Sequence, residues 1–163
     1  PVRKKKGNDS IMTPEWVVKD MVGHFAPKGT ILEPAKGDGV FTNILPQAEW
    51  CEINEGRDFF DWNKRVDWII SNPPFSVMRK FILHSFEVAD NIVYLVPVWK
   101  IWLGFSTVKA GQEYGGIKEI RWYGGGGKLG FPMGNPIGAI YWQRGYRGPM
   151  VQTFYEDGIN ESA

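Results

Sequence analysis

The stretch Val66–Phe75, VDWIISNPPF, constrains the fold of this chain more than any other. Val66, Trp68, Ile69 and Ile70 form a nearly continuous apolar run of β-branched and aromatic residues, the pattern of a buried strand inside a parallel sheet. The run stops at Asn72-Pro73-Pro74-Phe75. Two prolines remove two backbone donors and fix two φ angles, so the chain must leave the sheet there, and Pro73 holds Asn72 extended. A polar amide and an aromatic ring are thereby placed at the carboxyl end of a strand, the edge where open α/β sheets bind ligands. Taken alone, these four residues describe a rigid acceptor-and-stacking site and an ordinary strand-ending turn equally well.

Upstream, Ser10–Thr13 offers caps, Pro14 and Glu15 suit a first helical turn, and Trp16, Val17, Met21, Val22 and Phe25 recur at helical spacing. This predicts a helix ending near Ala26-Pro27-Lys28-Gly29. Thr30-Ile31-Leu32 reads as a short strand running into Glu33-Pro34-Ala35-Lys36-Gly37-Asp38-Gly39-Val40-Phe41. Strand, glycine turn, then helix lets backbone approach a ligand closely and points amides at it. With a carboxylate at the strand end, Glu33, the segment differs from the GxGxxG dinucleotide pattern: it would repel a pyrophosphate and could hold a cationic or amino-bearing ligand. A plain glycine turn joining strand to helix is the alternative.

A short helix over Val40 to Leu45 precedes Pro46, and a second strand is expected at Glu49 to Ile53, with carboxylates at Glu52 and Glu55. In a nucleoside-binding α/β sheet, an acidic residue at the end of the second strand takes the ribose hydroxyls. Asp58-Phe59-Phe60-Asp61 adds a further carboxylate with aromatic neighbours. After Phe75, residues Met78, Phe81, Ile82, Phe86 and Ala89 keep helical spacing, with Ser76 as a cap. Asn91 to Pro97 is another buried strand, whereas Trp99 to Phe105 fits no period. Ile117 to Tyr123 and Pro136 to Trp142 read as an antiparallel hairpin across a glycine-rich link. In that link, Gly124-Gly125-Gly126-Gly127-Lys128 fails as a phosphate loop: Trp122 stands where the first glycine belongs and Leu129 where Ser or Thr must be. It reads as a flexible loop. One domain over 1–163 is expected, with a basic flexible start at 1–9 and a tail at 144–163.

Composition narrows the class. With 43% apolar and 23% charged residues, a chain of 163 residues suits a single soluble domain with a real core. The net charge of +1 argues neither for nor against a polyanionic partner. The run Arg3, Lys4, Lys5, Lys6 could touch phosphates or be a solvated terminus, and the end is acidic at Glu156, Asp157 and Glu161. A single cysteine, Cys51, excludes an internal disulfide, and His24 and His84 lack metal-site spacing, so no metal is expected. No apolar run approaches the roughly eighteen residues of a membrane span, and no signal-peptide core follows the basic start, so no membrane association and a cytoplasmic location are expected. The start at Pro1 rather than Met points to a trimmed natural terminus.

In this order, the segments resemble the S-adenosylmethionine-dependent methyltransferases of the adenine-N6 DNA type. The resemblance runs over roughly residues 10 to 143 through Thr13-Pro14-Glu15, Glu33 to Phe41, Glu52, Asp58-Phe59 and Asn72-Pro73-Pro74-Phe75, and the motif order is similar to that family's gamma arrangement. It implies a Rossmann-like class I fold, a mostly parallel seven-stranded sheet with an antiparallel final hairpin. It also implies S-adenosylmethionine as cofactor and DNA as partner, with the target adenine flipped into a pocket at Asn72–Phe75. Thr13 and Pro14 would line the methionine end of the cofactor, and the Glu33-Pro34-Ala35 opening with Gly37, Gly39 and Phe41 would hold its amino end and approach its backbone. Glu52 would take the ribose hydroxyls, and Asp58, beside the Phe59 amide, the adenine amino group. The Asn72 side-chain oxygen and the Pro73 carbonyl would accept from the target amino group, Pro74 would add rigidity, and Phe75 would stack on the base. The family pattern departs at Lys36, usually small or neutral, and in the absence of a recognisable target-recognition segment, which implies a separate specificity subunit or low specificity in a bacterial, archaeal or phage-infected cell. The same NPPF turn is also similar to methyltransferases of RNA guanine or protein glutamine, and a non-catalytic nucleic-acid-binding subunit is the reading from another class.

Overall fold

The structure, a computed structural model, describes residues 12–132 and 134–156. The basic run Arg3–Lys6, the cap Ser10 and the acidic Asp157 and Glu161 lie outside the described residues. Strands β1 (Ile31–Glu33), β2 (Glu49–Trp50), β3 (Val66–Ser71), β4 (Ala89–Pro97), β5 (Ile117–Gly125), β6 (Pro136–Gln143) and β7 (Val151–Phe154) form one seven-stranded sheet in the order β2-β1-β3-β4-β6-β5-β7. Every neighbouring pair is parallel except the two made by β6, which runs antiparallel between β4 and β5.

Helices α1 (Glu15–Phe25) and α2 (Val40–Ile44) cover one face, and α3 (Met78–Val88) and α4 (Phe105–Tyr114) the other. The central strands carry unbroken apolar stretches, Trp68–Ile70 in β3 and Ile92–Pro97 in β4, because alternate side chains enter different cores. Ile69, Ile92 and Tyr94 pack with Phe81 and Ile82 of α3, while Ile70, Val93 and Leu95 pack with Val17, Val18 and Met21 of α1. A polar residue at any of these positions would be stranded in a core whichever face it chose.

The chain passes outward from β1 to β2 and then returns to the opposite side of β1 to form β3. That reversal opens a crevice at the carboxyl ends of β1 and β3, the position at which such sheets receive ligands. Glu33 ends β1, and Asn72 follows the last residue of β3. The NPPF turn therefore sits at the switch point.

Several expectations are corrected. The second strand is two residues long rather than five, because Glu52 turns away into a bridge with Arg57 and caps a 3-10 turn over Ile53–Glu55. Ser76 does not cap the helix after Phe75: a 3-10 turn, Phe75–Val77, intervenes and Val77 occupies the cap position without a side-chain bond. The segment read as a tail contributes β7, laid parallel on β5, so the inserted antiparallel strand is the sixth and not the last. The glycine-rich link is not a loose loop. Gly126–Leu129 makes a 3-10 turn closed by hydrogen bonds from Gly126 N to Asn135 O and from Phe131 N to Gly126 O, with Leu129 and Phe131 buried.

A candidate ligand site at the strand switch point

Glu33 is the pivot of the site. Its carboxylate is 1% exposed and accepts from the Ala35 amide at 2.8 Å and from the Ser71 hydroxyl. A buried carboxylate is tolerated only where donors converge on it, and these two donors come from its own loop and from the last residue of the neighbouring strand. β1 and β3 are thus stapled together where they diverge.

Glu52 is also buried. Its Oε2 accepts from the Gly37 amide at 2.8 Å and its Oε1 from the Asn54 amide at 3.1 Å. Gly37 sits at φ +57° and Gly39, which caps α2, at φ +92°, both in the region that favours glycine. The turn after β1 is therefore fixed twice, by glycine backbone and by a carboxylate reaching from the end of β2. Both acids also line the crevice between the carboxyl ends of β1 and β3.

Lys36, the odd residue of the glycine turn, lines the cleft with its charge already paired. Its ammonium pairs with Glu55 Oε2 at 2.9 Å and lies 3.9 Å from the centre of the Trp50 ring, while the Arg57 guanidinium lies 4.0 Å from the same ring centre. Glu55 is thereby engaged with Lys36, and Glu52 is the buried acceptor at the strand end. Asn72 is half-buried, and its Nδ2 donates to Thr13 Oγ1 at 3.0 Å, across from the residues that lead into α1. That bond fixes which end of the amide is occupied and leaves Oδ1 as the end available to a ligand.

Thr13, Pro14, Glu33, Ala35, Gly37, Phe41, Glu52, Asn72 and Pro74 all line one cleft of about 770 Å³. Pro34, Gly39, Asp58, Phe59, Pro73 and Phe75 do not line it. Asp58 Oδ1 accepts from Phe60 N and caps the turn Phe59–Asp61, and the Phe59 ring is buried against Phe81 and His84, so only its backbone could serve a ligand. Pro73 and Pro74 are buried. The Phe75 ring is not bare: it stacks on Phe131, with centres 5.6 Å apart and planes at 20°, and the Lys100 ammonium lies 5.0 Å from its centre. A base stacking on Phe75 would extend a formed pair or displace Lys100.

Sequence reasoning missed Ser71, Asn54, Asp38 and Met12 of the cleft region, together with Phe131. Ser71 carried a readable signal, being the one polar residue between the apolar Trp68-Ile69-Ile70 and Asn72. Phe131 carried none, since it reaches Phe75 from across the sheet. Burial pushes the Cys51 thiol up to about 12, with smaller contributions from Glu33, Asp58 and Glu49, so it is not a thiolate near neutrality. Among the described residues no group of three or more His, Cys, Asp or Glu could hold a metal, and no helix is long and apolar enough to cross a membrane.

This layout, an acidic and glycine-tight turn after β1, a buried acid after β2 and an antiparallel strand inserted beside β4, decides the architecture. The fold is that of the class I methyltransferases. A type I restriction-modification methyltransferase subunit from Streptococcus thermophilus superposes with a TM-score of 0.64 at 15% identity, over 93% of this chain and 48% of that one. A protein from Listeria monocytogenes assigned as a class I S-adenosylmethionine-dependent methyltransferase gives 0.62 at 13% identity, over 93% and 68%. A protein from Pyrococcus horikoshii assigned as an RNA methyltransferase gives 0.61 at 16% identity, over 88% and 89%. The chain spans about half the length of the type I proteins it matches. No protein-family model and no curated sequence matches it.

Proposed function

We propose that the chain is a methyltransferase that takes S-adenosylmethionine as cofactor and methylates the exocyclic N6 amino group of adenine in DNA. The observation that carries this reading is the Asn72 amide at the switch point, its nitrogen held by Thr13 and its oxygen left for a substrate donor. The donor set suits the cofactor. Glu33 and Glu52 place acceptors and negative charge where a ligand with a cationic amino end and a ribose would lie, and Lys36, the one cation in the glycine turn, is drawn off to Glu55 and Trp50.

When bound, S-adenosylmethionine supplies an electrophilic methyl group on sulfur. Thr13 and Pro14 line the cleft, Glu33 orders the loop that would hold the amino end, and Glu52 would accept from the ribose hydroxyls. The adenine amino nitrogen is a poor nucleophile because its lone pair is delocalised into the ring. Asn72 Oδ1 and the Pro73 carbonyl would accept hydrogen bonds from its two N–H groups in fixed directions, which would favour the pyramidal form in which the lone pair is released. The two prolines hold these acceptors, and alignment of this kind is worth several kcal/mol, up to about 7–11 in the best cases. The N–CH3 bond would form as the S–CH3 bond breaks with its electron pair staying on sulfur, and the methylated nitrogen, then cationic, would give one proton to solvent, so no strong base is required.

The deciding experiment is incubation of the protein with methyl-labelled S-adenosylmethionine and DNA, followed by identification of the product nucleoside. N6-methyladenine is expected; absence of cofactor binding at high micromolar concentration removes the reading altogether. The same fold in a Pyrococcus horikoshii protein assigned as an RNA methyltransferase, matched over nearly its whole length, supports RNA as the second substrate to test.

A further inference from the structure

The carboxyl edge of the sheet continues past Phe75 into the turn after β4, and this turn carries an unusual surface. Trp99 is 40% exposed, Trp102 48%, Leu103 68% and Phe105, the first residue of α4, 83%. The strip is continuous with the candidate target site, because Lys100 lies within it and reaches over the Phe75 ring. Arg79, one turn beyond Phe75, anchors the far side by donating to Ser106 Oγ at 2.8 Å and Thr107 Oγ1 at 3.0 Å. No Asp or Glu occurs between Asp90 and Glu113, or between Glu119 and Glu156, so the loops after β4 and β5 contain cations and no acids.

Exposed rings in an apolar patch call for an occupant. A protein partner is disfavoured by Lys100 at the middle of the strip, since interface cores are depleted in lysine. A duplex offers such rings little, because its base faces are already stacked on one another. Unpaired nucleotides match both features, with π-faces for the rings and phosphates for the cations.

Resting on the methyl-transfer reading for the target base itself, we propose that Trp99, Lys100, Trp102 and Phe105 bind the unpaired nucleotides next to the target adenine, so that the chain acts on single-stranded DNA in preference to duplex. Stacking on exposed rings is tolerant of sequence, so recognition here favours strand state over base identity. The leading consequence is that the bases adjoining the target need not be torn from a helix by the protein.

The test is equilibrium binding of a fluorescein-labelled oligodeoxynucleotide of about a dozen nucleotides with one adenine, single-stranded and annealed to its complement. The single strand is expected to bind about tenfold more tightly or better, and Trp102→Ala and Phe105→Ala each to weaken single-strand binding about tenfold while cofactor affinity and melting temperature stay unchanged. Lys100→Gln is expected to lower the slope of log affinity against log salt by about 0.7. Equal or tighter duplex binding, normal single-strand binding by both ring variants, binding of single-stranded RNA but not DNA, or self-association of the protein that Trp102→Ala abolishes would each overturn the proposal. Binding is read without chemistry, so the two readings fail separately. Single-strand selectivity without methyl transfer removes only the proposed activity, and equal kcat/KM on duplex and single strand removes only this inference.

Discussion

The two sides of Asn72 are built on opposite terms. Before it, the loops after β1 and β2 bring Glu33, Asp38, Glu52 and Glu55 to the crevice, with two left-handed glycines and backbone amides already bound by carboxylates. After it, the loops following β3, β4 and β5 carry no acid, present Lys100 and Lys128, and leave aromatic rings in solvent. The first side is closed and negative, suited to one small donor-rich ligand; the second is open, cationic and flat-ringed. One sheet edge thus divides into two halves of opposite charge, and Asn72 stands on the border. Electrostatics alone would keep a polyanion from the acidic side.

That comparison can be broken most directly at its border. Asn72→Ala is expected to lower methyl transfer by about two to three orders of magnitude, the usual effect of deleting a positioned acceptor or donor at a reacting centre, while calorimetric cofactor affinity changes little. If the variant stays active, the border has been placed on the wrong residue. Glu52→Ala tests the acidic side: it removes the proposed ribose acceptor and frees the Gly37 amide, so cofactor affinity is expected to fall about ten- to a hundredfold in an equilibrium titration, with single-strand DNA binding untouched. Thr13→Val leaves a similar volume but no hydroxyl for Asn72 Nδ2, and kcat is expected to fall about tenfold. Recovery by Thr13→Ser, and a kcat loss larger than the change in cofactor affinity, would separate amide positioning from packing.

The smallest expected effect concerns what joins the two sides. α1, entered from Thr13 and Pro14, is tied to β5 by Asp20, whose carboxylate accepts from Arg121 Nε at 2.6 Å and from Tyr123 OH at 2.6 Å. Burial alone would raise the Asp20 pKa, but the hydrogen bonds from Arg121 and Tyr123 and the Arg121 charge outweigh it and hold the carboxyl below its usual value. A depressed carboxyl stabilises the folded state above its ordinary pKa, and that contribution disappears as pH falls through the lower, folded value. Asp20→Asn should therefore lower Tm near neutrality by about 2–4 °C and flatten the acid limb of a Tm-against-pH curve. Equal loss of cofactor and DNA binding in that variant would show the helix serving both sides together.

The sequence was most readable where burial on both faces leaves no choice of residue. β3, β4 and β6 are legible because Ile69 and Ile70, Ile92 and Val93, and Ile140 and Tyr141 must be apolar or aromatic whichever core they enter. The cleft was legible through glycine and acid spacing, since few residue types satisfy φ +57° at Gly37 and a buried acceptor at Glu52. α4 was not, because exposed Phe105 and Val108 and buried Gly111 blur its apolar face. β7 was missed for the reason edge strands often are, with Val151, Gln152 and Phe154 all exposed and only backbone pairing to β5 to define it. The Phe75–Phe131 stack joins residues far apart in the chain, and no local pattern encodes such a contact.

The bond between Glu52 and Gly37 has a consequence for how the protein would take up its ligand. The carboxylate that would receive ribose is also the clasp of the loop that would wrap the ligand, so order in the empty protein and grip on the ligand are one quantity. A loop fastened in advance surrenders little freedom at the moment of association, and less of the contact energy is spent on ordering it. Amide hydrogen exchange at Gly37 would accordingly be slow even without ligand, and the protein would greet its cofactor as a lock already cut rather than a hand that closes.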